Sequence, residues 1–184
     1  MGNQVLAPID CEMARIVEGF LERNGVRVIL DDGAAEFRQT DSGALEVITQ
    51  SGETHPADIV ILGMGVRPET ALAKEAGLEI GSRGGILVDD QMRTSKSEIF
   101  AVGDAVEVKD FITGEQSLVA LAGPANRQGR IAADVIAGRD ARFRGTQGTS
   151  IIGLFGAAAA WTGVSEKTLE RIGDEDYEKI YLYP

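Results

Sequence analysis

Two uninterrupted apolar runs constrain this chain more than anything else in it. They are Asp58-Ile59-Val60-Ile61-Leu62-Gly63 and Ile99-Phe100-Ala101-Val102-Gly103-Asp104. A strand with one wet face alternates apolar and polar residues. A continuous short run bounded by glycine instead predicts a strand covered on both faces, as in a parallel sheet flanked by helices. The chain therefore reads as α/β.

The remaining segments fit that class. Asp10 is placed to cap a helix whose apolar residues Met13, Ile16, Val17, Phe20 and Leu21 fall on one face, and Asn24-Gly25 ends it. Val26–Leu30 follows as a short β-branched strand. Helix then strand at this spacing is the second half of a βαβ unit. Ala35–Gln39 and Leu45–Thr49 predict two strands joined by the Asp41-Ser42-Gly43 turn. Pro68–Ala76 reads as a helix with proline at its start. Ile86–Asp89 reads as a strand, and Ala125–Ile136 as a helix stopped by Gly138. After Gly148 the texture becomes apolar and small, and Thr149–Thr162 predicts strands. Ser165 is placed to cap a helix ending at Gly173, and Tyr177–Tyr183 alternates as a strand. A closing strand without partners is an unpaired edge, so both ends read as cut.

Composition excludes several function classes. The net charge of −11 argues against a nucleic-acid partner, because neutralising phosphates needs clustered Lys and Arg. Cys11 is the single cysteine, which rules out an intrachain disulfide and a Cys-based zinc cluster and fits a reducing cytosol. No basic start followed by an apolar run marks a signal peptide. The longest apolar stretch, Thr149–Gly163, is interrupted by Gly153 and Gly156 and falls short of the roughly 20 residues of a membrane helix. The expectation is a soluble, cytoplasmic protein with no membrane partner.

Two loops are placed for chemistry. Gly63-Met64-Gly65-Val66-Arg67-Pro68 follows one apolar run and precedes a helix, nearly the context in which glycines admit a pyrophosphate. Proline stands where a third glycine is needed, and Gly84-Gly85 interrupts before the expected ribose-binding acid. This loop reads as a structural turn or one passing close to a cofactor held elsewhere, ahead of the alternative that it is itself the primary phosphate-binding loop. At the second loop, Asp104 ends a strand, where the crevice of an open α/β sheet lies. Its carboxylate either accepts hydrogen bonds from ligand hydroxyls or caps a turn, and Gly103 permits close approach.

Thr94-Ser95…Ile99-Phe100-Ala101-Val102-Gly103-Asp104 resembles the second FAD-binding motif of the pyridine nucleotide–disulfide oxidoreductases. Ala122-Gly123-Pro124-Ala125-Asn126-Arg127-Gln128-Gly129-Arg130 and Gly145-Thr146-Gln147-Gly148-Thr149-Ser150 resemble the branch of coenzyme A disulfide reductases, NADH oxidases and NADH peroxidases. Val60–Pro68 is similar to the closing segment of that family's NAD domain. The resemblance covers nearly the whole chain, with the motifs in family order.

The resemblance implies an architecture. Residues 1–66 would be the C-terminal part of an NAD-binding domain, and 67–144 the return segment of an FAD-binding domain, both three-layer and Rossmann-like. Residues 145–184 would begin an α+β interface domain that pairs two subunits as a homodimer. It implies FAD and NAD(P)H as cofactors and a small-molecule redox substrate. Asp104 would bond the ribityl chain and the Ala105 amide would face a flavin phosphate, beside Gly103. Pro124 and Ala125 would open a helix against the isoalloxazine ring, its N-terminal dipole favouring negative charge there. Gly65 and Pro68 would shape the loop beside the nicotinamide.

The chain departs from the family in lacking its redox cysteine and both glycine fingerprints. Cys11 lies in the wrong place to replace that cysteine. His55, beside Pro56, reads as a solvated loop residue, and Tyr177, Tyr181 and Tyr183 as interface packing. Part of an FAD-dependent oxidoreductase, inactive alone, is the first expectation. A non-catalytic, self-associating chain is the second.

Overall fold

The computed structural model describes residues 2–182. They divide into two compact units. The first holds the described residues up to Met64 together with Gly153–Ala159 and the stretch from Ser165 onward; the second holds Gly65–Ile152 and Ala160–Val164.

In the first unit α1 (Cys11–Arg23) is the expected helix, and Gly25 (φ +81°) terminates it. Its buried face differs from the expected one. Ala14, Val17 and Glu18 are buried, whereas Met13 and Ile16 are 53% and 54% exposed. The preceding chain is tied over that face by Glu18, whose carboxylate accepts the Val5 amide at 3.2 Å and pairs with Arg15 at 2.6 Å. Three antiparallel strands follow in the order β1 (Ala34–Gln39), β2 (Leu45–Thr49) and β3 (Thr54–Ala57). The first turn is the expected one, with Gly43 at φ +86°. The third strand corrects the loop reading of His55. That side chain stands opposite Val47 in the β2–β3 pair, half-buried, 3.4 Å from the Arg27 guanidinium.

Val26–Leu30 forms no strand, and neither does Asp58–Gly63, where Ile59, Ile61 and Leu62 are 78%, 89% and 60% exposed. A parallel strand has no internal hydrogen bonds and exists only beside a neighbour. Among the described residues none pairs with either segment.

Helix α4 (Glu166–Ile172) begins after Ser165 and ends at left-handed Gly173, as expected. Its first amide, of Glu166, donates to the Asp10 carboxylate at 2.7 Å. The segment after it, expected as a strand over Tyr177–Tyr183, is irregular to Leu182; Tyr183 lies outside the described residues. Side chains hold it instead. The Tyr177 hydroxyl donates to Glu166 at 2.8 Å and that of Tyr181 to Glu12 at 2.5 Å. Lys179 lies 2.8 Å from Glu12 and also bonds the Glu166 carboxylate.

The Lys179 hydrogen bond, then that of Tyr181, lowers the Glu12 carboxyl to about 2 from its ordinary 4.5. Glu166 is lowered and Lys179 raised by the same contacts. A depressed carboxylate stabilises the fold above its unfolded pKa, and that contribution is lost as pH falls through the folded one. A raised amine stabilises in full below its unfolded value and loses this as pH rises through its folded one. The segment should therefore stay docked across neutral pH, release as pH falls from 4.5 towards 2, and release again only well above 10.5. Tyrosine ring resonances followed by NMR against pH check this. No change at either Tyr177 or Tyr181 below pH 4.5 would refute it.

In the second unit β4 (Ile86–Leu87) runs parallel to β5 (Val106–Lys109), which pairs antiparallel with β6 (Gln116–Leu118). Strands β5 and β6 were absent from the sequence expectation. Helix α3 (Ala122–Ile136) starts three residues before its expected start and stops before Gly138 (φ +80°). Val106 and Val108 on one face of β5 meet Ile131, Ala132 and Val135 of α3, with Met92 and Phe143 completing the core. Helix α2 (Ala71–Glu75) is shorter than expected and begins three residues after Pro68.

Ile99–Asp104 is not a buried strand. It makes one bridge, Phe100 to Arg93, with Phe100 and Ala101 packed on the core and Ile99 and Val102 37% and 41% exposed. The regular strand comes after the Gly103-Asp104 corner rather than before it. The apolar stretch Thr149–Thr162 contains two strands, β7 (Ser150–Leu154) and β8 (Ala157–Trp161), as expected. No helix among the described residues is long and apolar enough to cross a membrane.

Candidate cofactor site

The Gly103-Asp104-Ala105 corner owes its shape to glycine. Gly103 has φ +88°, a conformation costly for any residue with a Cβ, and it turns the chain sharply into β5. Its amide donates at 2.7 Å to Oε1 of Gln128, a residue of α3 only 2% exposed. The corner is thus tied to the helix by one short, part-buried hydrogen bond. The next residue, Asp104, is exposed, and among the described residues nothing donates to its carboxylate or pairs with it. A turn-capping role, in which the carboxylate would accept a nearby amide, is not what the structure contains.

Asp104 and Ala105 line a cavity of about 220 Å³ together with Arg67, Pro68, Glu69 and Leu118. Three expected site residues, Pro68, Asp104 and Ala105, are thereby brought together from loops far apart in sequence. Pockets for whole small ligands run from roughly 300 Å³ upward, so this one suits a segment of a cofactor, such as a polyol chain or a phosphate. An unpaired carboxylate lining such a cavity fits hydroxyl-rich ligands, whose donors would satisfy it.

The other expected residues lie elsewhere. Gly65 (φ +77°) adjoins the cavity residue Val66 but does not line the cavity. Pro124 lines a separate recess of about 530 Å³ with Gly123, Arg127, Phe111 and Thr146. Ala125, half-buried in the first turn of α3, lines neither. The N-cap Leu121 contributes no side-chain cap, so no side chain occupies the first amides of that helix from the capping position. Cys11 is exposed, its thiol 3.3 Å from Glu12. No cluster of three or more metal-ligating side chains exists among the described residues.

Gln128 went unremarked in the sequence reading, although a signal was present. It lies three, four and seven residues before Ile131, Ala132 and Val135, on the face α3 buries. A polar residue on a buried helix face needs a partner, and the Gly103 amide is that partner.

Comparison with known proteins places this geometry in context. The family described as pyridine nucleotide-disulphide oxidoreductase matches residues 1–129. An NADH oxidase of Methanocaldococcus jannaschii is 42% identical over 144 residues, covering 78% of this chain and 32% of the relative. A CoA-dependent NAD(P)H sulfur oxidoreductase of Pyrococcus abyssi is 38% identical over 166 residues, covering 90% of the chain and 36% of the relative. The solved structure of an FAD-dependent pyridine nucleotide-disulphide oxidoreductase from Desulfovibrio vulgaris superposes with a TM-score of 0.86 at 36% identity, covering 94% of this chain and 43% of that one. The chain spans about a third of the length of the relatives it matches. The motif around Asp104, its corner geometry and a match over more than half of the residues converge, and the chain belongs to the pyridine nucleotide-disulphide oxidoreductase family, with that family's α/β fold.

Proposed function

We infer that this chain is part of an FAD-dependent oxidoreductase that moves electrons from NAD(P)H through FAD to a disulfide such as coenzyme A disulfide, a peroxide or oxygen. The observation that carries the reading is the unpaired Asp104 carboxylate, set in one cavity with Ala105 and Pro68. FAD supplies the hydride acceptance and electron transfer. The chain's own residues bind and orient it. Asp104 accepts hydrogen bonds from the ribityl hydroxyls, and the Ala105 amide faces a phosphate. Gln128 holds the Gly103 backbone so that both stay in register with α3. The first turn of that helix, at Pro124 and Ala125, presents its positive dipole end to the electron-rich edge of the ring. Gly65 and Pro68 shape the loop on the nicotinamide side.

In this reading residues 1–66 belong to an NAD-binding domain, 67–144 to an FAD-binding domain, and 145–184 open an interface domain of a cytoplasmic homodimer. The chain carries neither the redox cysteine nor the glycine fingerprints, so alone it turns over no substrate and holds FAD weakly. A second reading, a non-catalytic self-associating chain, draws on the exposed apolar residues Ile59, Ile61, Leu62, Met64 and Val66.

One preparation separates the two. The purified chain is mixed with excess FAD, gel-filtered and scanned in the visible region. Flavin co-eluting with protein, or flavin fluorescence quenched on titration, supports the first reading. A colourless oligomer with no response to FAD at any concentration sinks it.

A further inference from the structure

The cofactor reading leaves Glu107 without a task, yet its burial is complete at 0% exposure. It occupies the middle of β5 between Val106 and Val108, which face the α3 core, so its own side chain projects to the opposite face of the sheet. There Oε1 accepts two backbone amides, of Arg83 at 2.8 Å and Gly85 at 3.1 Å. Oε2 has no hydrogen-bond partner. A buried carboxyl group is costly to keep, and leaving one oxygen unpaired adds to the cost, so an apolar residue would serve a purely structural strand better.

The surroundings are built around this side chain. A Cβ on Gly81 would stand 2.1 Å from Oε2, and one on Gly85 would stand 3.0 Å from the Glu107 Cγ and 2.7 Å from Leu118. The turn closes on itself through the Gly81 amide to the Gly85 carbonyl at 2.8 Å and the Gly84 amide to the Gly81 carbonyl at 3.0 Å. Residues that line the candidate cavity connect to this strand and turn. Asp104 and Ala105 lead directly into β5. Leu118 is the residue paired with Glu107 across β5 and β6. A Cβ on Gly84 would stand 4.0 Å from the Pro68 ring, and the Gly84 carbonyl accepts the Thr70 hydroxyl at 3.5 Å, which ties the turn to the segment just after Pro68.

We propose that Glu107 is a positioning residue of the cofactor cavity. By gathering the Arg83 and Gly85 amides it fixes the turn over residues 81–85, and through that turn it sets Pro68 and Leu118 against Asp104. The proposal rests on the reading that this cavity takes a segment of FAD. A wall displaced by about 1 Å costs a positioned group a large part of its effect.

The test uses the whole ¹⁵N-labelled chain, titrated with FAD and followed by amide NMR. Glu107→Leu keeps the bulk and removes both acceptors, and should raise the FAD dissociation constant about tenfold. Glu107→Gln keeps Oε1 as acceptor and should stay within about threefold of the wild type. Gly81→Ala leaves Glu107 in place but drives a methyl into its carboxylate, and should reproduce the Glu107→Leu loss. In a Glu107→Ala background the same Gly81→Ala change should add nothing further. This arm stands even if Glu107→Leu does not fold. A Glu107→Leu chain that melts earlier yet binds FAD as the wild type does overturns the proposal, and Glu107 is then only structural. If even the wild type gives no FAD-dependent shifts, the cofactor reading fails, and Glu107 is judged on the ligand-free spectra. Glu107→Leu shifts reaching the Glu69 and Ala105 amides support its positioning role; shifts confined to residues 79–87 and 105–109, sparing Glu69, overturn it.

Discussion

Replacing Asp104 by alanine is expected to weaken FAD binding by about 10- to 100-fold, because hydrogen bonds to a charged acceptor are worth roughly 1.5–3 kcal/mol and 1.4 kcal/mol is tenfold in affinity. The effect should be confined to the ligand. The carboxylate is exposed and contacts no donor among the described residues, so the folded chain loses nothing when it goes. A melting temperature within a degree or two of the wild type, together with the weakened binding, is the expected signature. Asp104→Asn should fall between, since the amide oxygen still accepts but without charge. Binding is read as the dissociation constant for added FAD, or as flavin per protein after purification of a longer protein that carries this chain. Unchanged binding in Asp104→Ala would remove the residue from the site. A large loss of stability with unchanged affinity would return it to the role of turn former.

The corner also explains why Gln128 and Asp104 should behave differently. Gln128 acts through the backbone of Gly103 and touches no ligand in this reading. Gln128→Leu should therefore lower stability as well as affinity, because it leaves the half-buried Gly103 amide without its 2.7 Å acceptor. A residue that binds and a residue that positions are thus separable by whether thermal stability moves along with the dissociation constant.

Local signals were legible in the sequence, and non-local ones were not. Helices α1, α3 and α4, the β1–β2 hairpin and the β7–β8 pair carry their periodicity, stops and turns within their own residues, so a single chain suffices to find them. The runs at 58–63 and 99–104 failed for the opposite reason. An apolar run records that a strand is suited to cover on both faces, and says nothing of whether the strands it would pair with are present beside it. In the structure Ile61 is 89% exposed because no partner adjoins it among the described residues. Strands β5 and β6 were missed because they are only four and three residues long, too short for the Val106-Glu107-Val108 alternation to stand out. Glu107 is in fact buried, and only the glycines at 81 and 85, distant in sequence, make room for it. At the candidate site, Asp104, Ala105 and Pro68 were singled out by motif, and they line one cavity. Gln128 was passed over because an isolated glutamine in a helix reads as surface until its spacing to Ile131 and Val135 is counted.

Phe143→Ala should be the most destabilising single truncation in the second unit, at about 3–5 kcal/mol. The ring is 7% exposed and closes a core whose other members, Val106, Val108, Ile131, Ala132, Val135 and Met92, come from β5, α3 and the loop before the Gly103 corner. Its backbone is fixed independently of the side chain, since the Phe143 amide donates to the Asp90 carbonyl at 2.7 Å. With the backbone held in place, the void left by the ring carries its full cost. For a unit of this size a loss of that order lowers the melting midpoint by more than about 10 °C. Phe37, 50% exposed on β1, is the matched control, and Phe37→Ala should shift the midpoint only slightly. Differential scanning calorimetry of both variants decides the matter. Equal shifts would mean that the α3–β5 packing is not what holds the Gly103-Asp104 corner in place. The affinity argument for Asp104 would then lose its scaffold, because a carboxylate on a mobile corner has no fixed geometry to offer a ligand.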